Sequence, residues 1–334
     1  MNRIYAVTVA AAVSLFFGCS RFETQKTAET YSGPLLVPEE NSVAGVPQEA
    51  EYADFWIRKS SDPDAVLMTP ERIDEFNRTN PLRSSIQFDI PSMPAESKGQ
   101  AIREYLAASA RYLLTNPFYV TVDIQLEKTE RTRIAALMDT SGVPDTIALR
   151  FGMMVERAEG KVWPTTIPLM SQPNDNEFDM GMASTVNFGD PVALLHTSKD
   201  RLWCYVQTEN FTCWIPSSTV AFGRLAALRE IADRSMPLVA VGDKVPVYGT
   251  PDDPAALGYL NMGSHLPIRS ICNTFCEVLV PGRGPAGELV VKRGYVRRGS
   301  DVSVGFLPFT VRNVYDRLFV LYGARYGWGG MFDS

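Results

Sequence analysis

The most reactive side chains in this sequence belong to five cysteines and two histidines, spread over 334 residues. A thiol beside an imidazole forms a nucleophile–base pair, and Cys and His at short spacing also bind zinc. His196 and His265 stand near no cysteine pair at ligand spacing, and each sits at a strand end or turn. We therefore expect neither histidine to be catalytic, and we expect no metal or other cofactor.

Residues 1–19 have the composition of a secretion signal. Arg3 supplies positive charge, and Ile4–Phe17 is an apolar run too short to cross a bilayer. The run ends in Phe-Phe-Gly-Cys, which resembles a bacterial lipobox with Cys19 as the lipid-bearing residue. The alternative is an ordinary secretory signal with an incidental cysteine. Ser20, where Asp would favour the inner membrane, implies by analogy a lipoprotein of the outer membrane that faces the periplasm.

The four remaining cysteines form two local pairs. If Thr208-Glu209 is a two-residue hairpin turn, Cys204 lies opposite Cys213 with about 4.5 Å between their Cα atoms, near the lower limit for a disulfide. Cys272 and Cys276 bracket a three-residue loop. An even number of cysteines in an oxidising compartment predicts two disulfides. The alternative is four reduced, buried thiols.

The elements that must position these residues fall into three regions. Residues 20–62 are polar and proline-interrupted, which predicts a flexible tether. Residues 63–144 are mainly helical, with Thr69-Pro70 as one helix start and a capping box at Ser97 as another. From residue 145 to 309, short strands alternate with turn residues, which predicts small barrels.

A weak internal repeat divides this β-region into 145–225 and 226–309. Gly189-Asp190-Pro191-Val192 recurs as Gly263-Ser264-His265-Leu266, and Thr212-Cys213-Trp214-Ile215 recurs as Arg293-Gly294-Tyr295-Val296. Both copies resemble bacterial SH3-like domains, in which Gly-Asp-x-Val opens a strand and Gly-Trp-Val closes the barrel. Cys213 stands where that family favours Gly, and we attribute the departure to the expected disulfide.

The SH3-like resemblance implies contact with cell-wall peptides. The candidate contact residues are the large aromatic side chains of the two copies, Trp163, Trp203, Tyr205, Trp214 and Tyr295. The alternative for each of them is core packing, because small barrels need large side chains to fill them.

Residues 310–334 change character again. Thr310 can cap a helix whose apolar stripe contains Val314, Leu318 and Leu321, and the flexible-backbone loop Tyr326-Gly327-Trp328-Gly329-Gly330 follows. A helix that enters this loop resembles the start of an NlpC-type papain-like cell-wall peptidase domain. In that family the catalytic cysteine follows the loop within Asp-Cys-Ser at a helix start, where a thiolate is stabilised. Here the position falls after Ser334, so no catalytic residue is assigned to this chain.

The resemblance also covers residues 63–144, which are similar to the helical stabilising segment of some NlpC-type enzymes. The expected fold class is therefore α+β: a helical segment, two small SH3-like barrels, and the first helix and loop of an incomplete papain-like domain. If so, we expect the stripe of the last helix to lack a partner and the loop after it to be mobile.

The net charge excludes one class of partner, and the family resemblance implies two candidate functions. The net charge of −6 argues against a nucleic-acid partner, since phosphate binding needs clustered Lys and Arg. The resemblance implies the anchoring and wall-targeting portion of a lipoprotein that cleaves the D-glutamyl to diamino-acid bond of peptidoglycan stem peptides, with this chain alone inactive. The alternative is a non-catalytic peptidoglycan-binding or scaffold lipoprotein of the envelope, with a stable and compact C-terminus.

Overall fold

A computed structural model describes residues 45–80, 87–121, 123–175, 177–324 and 326–330. The signal segment, Cys19 and the first part of the predicted tether lie outside these residues. Among the helices that are described, none combines the length and apolar character needed to span a membrane.

The N-terminal region is helical, as predicted, and begins earlier than expected. A turn at Gln48–Glu51 and helix α1 (Ala53–Ile57) give folded structure to the part of the chain expected to end the tether. The next helices are α2 (Pro70–Thr79), α3 (Gln100–Thr115) and α4 (Lys128–Leu137).

The two predicted helix starts in this region have different outcomes. Thr69 caps α2 as predicted, because its Oγ1 accepts a hydrogen bond from the Arg72 amide at 3.4 Å. The capping box at Ser97 is wrong. Ser97 lies in strand β1 (Glu96–Lys98), which pairs with β2 (Thr146–Ala148), so α3 begins only after Gly99. Ser97 is held in the strand pairing with β2, so the N-cap position falls two residues later, on Gly99, which offers no capping side chain.

The first large sheet is antiparallel and has seven strands in the order β5-β4-β8-β7-β6-β3-β9. Its strands are β3 (Arg150–Met154), β4 (Ala158–Lys161), β5 (Met182–Val186), β6 (Pro191–Thr197), β7 (Trp203–Gln207), β8 (Thr212–Pro216) and β9 (Val220–Gly223). Helix α3 covers this sheet: Tyr105 stacks on Tyr205, and the Trp163 Nε1 donates to the Ser109 carbonyl at 3.2 Å.

The second large sheet, in the order β12-β11-β15-β14-β13-β10-β16, repeats that arrangement strand for strand. Its strands are β10 (Pro237–Ala240), β11 (Lys244–Tyr248), β12 (Ala256–Asn261), β13 (His265–Ile271), β14 (Phe275–Arg283), β15 (Leu289–Arg297) and β16 (Val302–Val304). Helix α5 (Leu225–Ile231) joins the two sheets. The weak sequence repeat therefore coincides with a structural repeat.

The repeated turn supplies a physical reason for this correspondence. Gly189 has φ +87° and Gly263 has φ +88°, a left-handed conformation that favours glycine, and each residue precedes the same strand of its sheet. One continuous core links the helical region and both sheets. The chain then enters helix α6 (Val311–Val320).

Candidate functional site

Helix α6 is held by the beginning of the described chain. Its N-cap is Thr310, as predicted, whose Oγ1 accepts from the Asn313 amide at 3.1 Å. The Arg312 amide donates to the Pro63 carbonyl at 3.0 Å, and the Arg312 guanidinium makes two hydrogen bonds to Asp64, at 2.7 and 3.0 Å. This guanidinium lowers the pKa of the Asp64 carboxyl. Tyr315 adds a ring stacked on Trp56 at 6.1 Å.

The predicted apolar stripe of α6 is open. Val314 is 42%, Leu318 58% and Leu321 36% exposed, and within the part of the chain described here the helix has no fully buried side chain. Other large apolar side chains that are exposed in the neighbouring segments are Leu67, Phe306, Leu307, Phe309 and Tyr322. This part of the described chain therefore has several large apolar side chains exposed on and near one helix.

The described part of the loop after α6 has hydrogen-bond partners in the rest of the chain, and residues 331–334 of the segment that we expected to be mobile lie outside the described residues. The Trp328 amide donates to the Glu177 carbonyl at 2.9 Å, and the Trp328 Nε1 donates to the Met182 carbonyl at 3.1 Å. The ring of Phe178 neighbours both loop rings, with its centroid 6.1 Å from Tyr326 and 6.2 Å from Trp328. The expectation considered only the helix and its missing sheet, whereas the loop finds hydrogen-bond partners at the edge of the first large sheet.

Gly329 explains why this loop needs residues without side chains. It has φ +62°, and a Cβ there would lie 3.0 Å from the Met182 Cβ and 3.4 Å from the Ala183 carbonyl carbon. Both strain and contact therefore favour glycine at this position. We call the three neighbouring rings Phe178, Tyr326 and Trp328 the aromatic platform.

The segment beneath the platform is fixed by a buried ion pair that the sequence did not reveal. Lys161 Nζ lies 3.0 Å from Asp179 Oδ2, and the two side chains are 4% and 2% exposed. Asp179 Oδ1 also accepts from the amides of Leu169 and Gly181, at 2.8 and 2.7 Å. Phe178 directly precedes Asp179, so this ion pair holds the chain next to one residue of the platform.

The predicted wall-contact aromatics occupy different positions. Trp163, Trp203, Tyr205 and Trp214 are buried, so for these four residues the alternative of core packing is correct. Tyr205 and Trp214 are 5.1 Å apart, and the Tyr205 hydroxyl bonds Thr212 Oγ1 at 2.7 Å. The platform is one of the exposed aromatic groups of the described chain, and its Phe178 carried no recognisable motif.

Tyr295 is only partly buried and lies in β15 opposite Glu277 and Tyr248. Tyr295 occupies the position on β15 that Trp214 occupies on β8. Unlike Trp214, it is only partly buried.

The predicted disulfide between Cys204 and Cys213 is not formed, and both cysteines are buried free thiols. The hairpin turn is Glu209-Asn210, because the Thr208 Oγ1 accepts from the amides of Asn210 and Phe211 and closes the turn one residue later than predicted. The register consequently shifts by two: Cys204 pairs with Ile215, and Cys213 pairs with Val206. Burial raises the pKa of both thiols.

Cys272 and Cys276 are also free, with Cys272 exposed and Cys276 buried. Cys276 pairs with Ile271, the residue before Cys272, so the two cysteines are offset by one position across the hairpin. Side chains offset by one position point to opposite faces of the sheet, which separates the two thiols.

Cys213 replaces the family glycine for a different reason from the one we expected. A Cβ on Gly160 would lie 2.8 Å from the Cys213 Sγ, so a glycine on β4 makes room for a side chain on β8. In the second sheet the glycine is on the opposite strand of the equivalent pair. There Gly294 on β15 faces Val247 on β11, with 2.9 Å between a hypothetical Gly294 Cβ and the Val247 Cγ1.

Both histidines have hydrogen-bond partners within the protein. The His196 Nε2 lies 3.1 Å from the Asp139 carbonyl oxygen, and burial lowers the pKa of this imidazole. His265 accepts a hydrogen bond from Arg234. In the described part of the chain, no three His, Cys, Asp or Glu side chains converge as metal ligands would.

Comparison with known proteins adds independent findings. Residues 168–216 match the family model of the SH3 domain of the SH3b1 type. An NlpC/P60 endopeptidase from Photobacterium damselae subsp. piscicida superposes with a TM-score of 0.68 at 18% identity, over 85% of this chain and 63% of that chain. This chain thus spans less than two thirds of that enzyme's length. Comparison with curated protein sequences gives no match.

Two further solved structures give weaker superpositions. They are an NlpC/P60 family protein from Bacillus cereus ATCC 10987 (TM-score 0.33, 15% identity, 46% of this chain and 55% of that chain) and NlpC2 from Trichomonas vaginalis (TM-score 0.16, 14% identity, 46% and 48%). The chain therefore contains a segment similar to an SH3 domain and, over most of its length, shares the fold of an NlpC/P60 endopeptidase.

Proposed function

We propose that this chain is the anchoring and wall-recognising portion of a peptidoglycan endopeptidase lipoprotein. The observation that carries the proposal is the common fold with an NlpC/P60 endopeptidase over 85% of the chain. The match of residues 168–216 to an SH3 domain supports it. The activity of the full enzyme would be cysteine-type hydrolysis of the D-glutamyl to diamino-acid bond, and none of the residues described here is assigned to that chemistry.

The second sheet forms, in this proposal, a second SH3-like barrel. Its strand order is that of the sheet containing the matched segment, and its turn glycine has the same backbone conformation. Lipid attachment at Cys19 and location at the outer membrane, facing the periplasm, are part of the same proposal and rest on the lipobox-like sequence.

The aromatic platform is the proposed contact surface for stem peptides. Phe178 is 40%, Tyr326 63% and Trp328 37% exposed, and Phe178 lies within the segment matched to the SH3 domain. Aromatic side chains with few rotatable bonds bind peptides at low entropic cost, and they dominate the energetics of binding surfaces. The open stripe of α6 is the proposed packing surface for the hydrolytic domain.

Sedimentation with purified sacculi tests the recognition step. We expect Phe178→Ala and Tyr326→Ala to weaken sacculus binding about tenfold, which corresponds to ~1.4 kcal/mol. Tyr259→Ala is the matched control, since Tyr259 is 53% exposed on β12 of the other sheet, and it should bind like the wild type. Equal binding by all three variants would refute the platform as a contact surface.

A non-catalytic wall-binding or scaffold lipoprotein is the second candidate function. The observation that favours it is the anchored loop, in which Trp328 makes two hydrogen bonds to the first sheet and its preceding segment. Incubation of the pure chain with stem peptides does not separate the two candidates, because both expect no cleavage. Addition of a purified NlpC/P60 catalytic domain does: tight binding through Val314 and Leu318 favours the endopeptidase, and absence of binding favours the scaffold.

A further inference from the structure

A cavity of about 350 Å³ lies between the two sheets, away from the aromatic platform. It forms where the repeat-related turns meet: Asp190 and Pro191 line it from the first sheet, and His265 lines it from the second. The contact between the turns is close, since a Cβ on Gly189 would lie 3.3 Å from the Leu266 Cδ2. The volume falls within the range that small-molecule sites occupy.

Part of the cavity wall is aliphatic. Pro91, Pro191, Ile231 and Ala232 contribute apolar surface from three separate segments. Such a wall suits a chain of methylene groups, whose transfer from water is favourable by roughly 0.8 kcal/mol per CH₂.

The cations of the cavity already have partners in the protein. The Arg234 Nη2 lies 2.7 Å from Glu209 Oε1, and its Nε donates to the His265 Nε2 at 3.0 Å. The Arg229 Nη2 donates to the Pro91 carbonyl at 3.0 Å. A ligand anion would have to compete with these contacts, so the cavity is poorly suited to a carboxylate or phosphate.

Asp190 makes no salt bridge among the described residues, although the nearby charge of Arg234 acts to lower the pKa of its carboxyl. Among the described residues, its hydrogen-bond donor is the backbone amide of Asn187, at 2.8 Å from Oδ2. Burial raises the pKa of Asp190 to about 7. Asp89, Glu209 and Asp233 add further carboxylates to the lining, against the two arginines already described. The cavity therefore has an excess of negative charge and one carboxylate that a bound cation would compensate.

We infer that this inter-sheet cavity binds an alkylammonium group, such as the side chain of a lysine-type residue, with Asp190 as the counter-charge and the aliphatic wall around the methylene chain. The inference does not depend on the proposed cell-wall function. A charged hydrogen bond from an ammonium to a partly desolvated carboxylate is among the stronger polar contacts in proteins.

Calorimetric titration of the purified protein with Nα-acetyl-lysine methylamide tests this inference, and the norleucine analogue, which lacks the ammonium, is the matched probe. We expect saturable binding of the lysine compound, and at least about tenfold weaker binding of the norleucine compound. Asp190→Asn should reduce lysine binding to the norleucine level, because Asn can still accept from Asn187 but carries no charge. Asp252→Asn removes an exposed carboxylate elsewhere and should leave affinity unchanged.

A second variant and a pH series test the inference independently of whether Asp190→Asn folds. Ala232→Leu should block binding by filling the cavity, even if Asp190→Asn unfolds. Lysine binding should strengthen as pH rises through about 7, where Asp190 ionises. The other groups that line the cavity are Asp89, Glu209, Arg229, Asp233, Arg234 and His265, and the pKa of His265 is lowered to about 4, so it stays neutral in this range. No saturable binding, equal binding of both probes, or an unaffected Asp190→Asn would overturn the inference.

Discussion

The two large sheets have the same strand order and differently built cores. The first encloses Trp203, Tyr205 and Trp214 under helix α3, whereas the corresponding interior of the second is filled by aliphatic side chains such as Val247 and Val280. The same strand order therefore occurs with different core residues. We attribute the order to the turns and to the alternation of apolar and polar residues along the strands.

Strand pairing makes the comparison specific to single positions. Trp214 pairs with Lys161 and Tyr205, and Tyr295 pairs with Tyr248 and Glu277 at the equivalent places. The first sheet thus has a buried cation and two buried rings where the second has surface-facing polar and aromatic groups. This difference allows matched substitutions in one protein.

The largest expected contrast concerns the paired aromatic residues. Trp214→Ala should destabilise the protein by about 3–5 kcal/mol, because it empties a fully buried site. Tyr295→Ala should cost only about 1 kcal/mol, since that ring is partly exposed. Urea unfolding of both variants measures the difference, and equal losses would mean that the two cores are equivalent after all.

The next contrast concerns the ion pair beneath the platform. Asp179→Asn should cost roughly 3 kcal/mol, because it leaves the buried Lys161 facing only Glu159, which is 2.8 Å away and half exposed. Adding Lys161→Met to that variant should restore much of the loss. Tyr248→Phe is the matched change in the second sheet, with an expected effect below about 0.5 kcal/mol. Chemical denaturation of the four proteins is the measurement, and an unrestored double variant would argue against the pair.

A smaller effect tests the reversed glycine positions. Gly294→Ala should cost about 1–3 kcal/mol, since its Cβ would lie 2.7 Å from the Val280 Cγ1 and 2.9 Å from the Val247 Cγ1. In combination with Val247→Ala, the loss should be smaller than the sum of the single losses. Gly299→Ala, with open space around its Cβ, is the control. Strict additivity of the two substitutions would contradict the proposed reversal.

The smallest expected effect is on the pH dependence of folding stability. Asp190 in the first sheet and His265 in the second should change this stability in opposite directions as pH rises. The raised pKa of Asp190, about 7 against an ordinary 3.8, means that the folded protein binds the extra proton, so stability is lost as pH rises through this range. The lowered pKa of His265, about 4 against 6.5, means that stability is lost as pH falls.

Unfolding midpoints measured from pH 4 to pH 8 separate the two contributions. Relative to the wild type, Asp190→Asn should gain stability as pH rises, and His265→Gln should gain stability as pH falls. Shifts in the same direction for both variants would disprove the assignment of these groups.

The sequence predicted some local features of this fold and the repeat of its two large sheets, and it missed other features. The caps at Thr69 and Thr310 and the turn glycines follow from chemistry within a few residues, and the structure confirms them. The register of the hairpin after Cys204 depended on which residue Thr208 would bond, and one wrong position moved every pair by two.

The candidate sites depended on contacts that no local pattern encodes. Lys161 binds Asp179, which lies 18 residues later in the chain, and Gly160 on β4 makes room for Cys213 on β8. Asp190 and His265 share a cavity only because the two sheets pack together. Aromatic residues were recognisable as important, but burial could not be assigned to them before the sheets were known.

The contacts between α6 and the first described residues connect the two ends of the described chain. Leu67 bonds the Phe309 carbonyl, Arg312 holds Asp64, and Tyr315 stacks on Trp56, so the two ends of the described chain are coupled side by side. Tension applied at one end would be transmitted to the other through these contacts, with little strain on the sheets between them. Separating the segment around Asp64 from helix α6 would therefore require these contacts to break first.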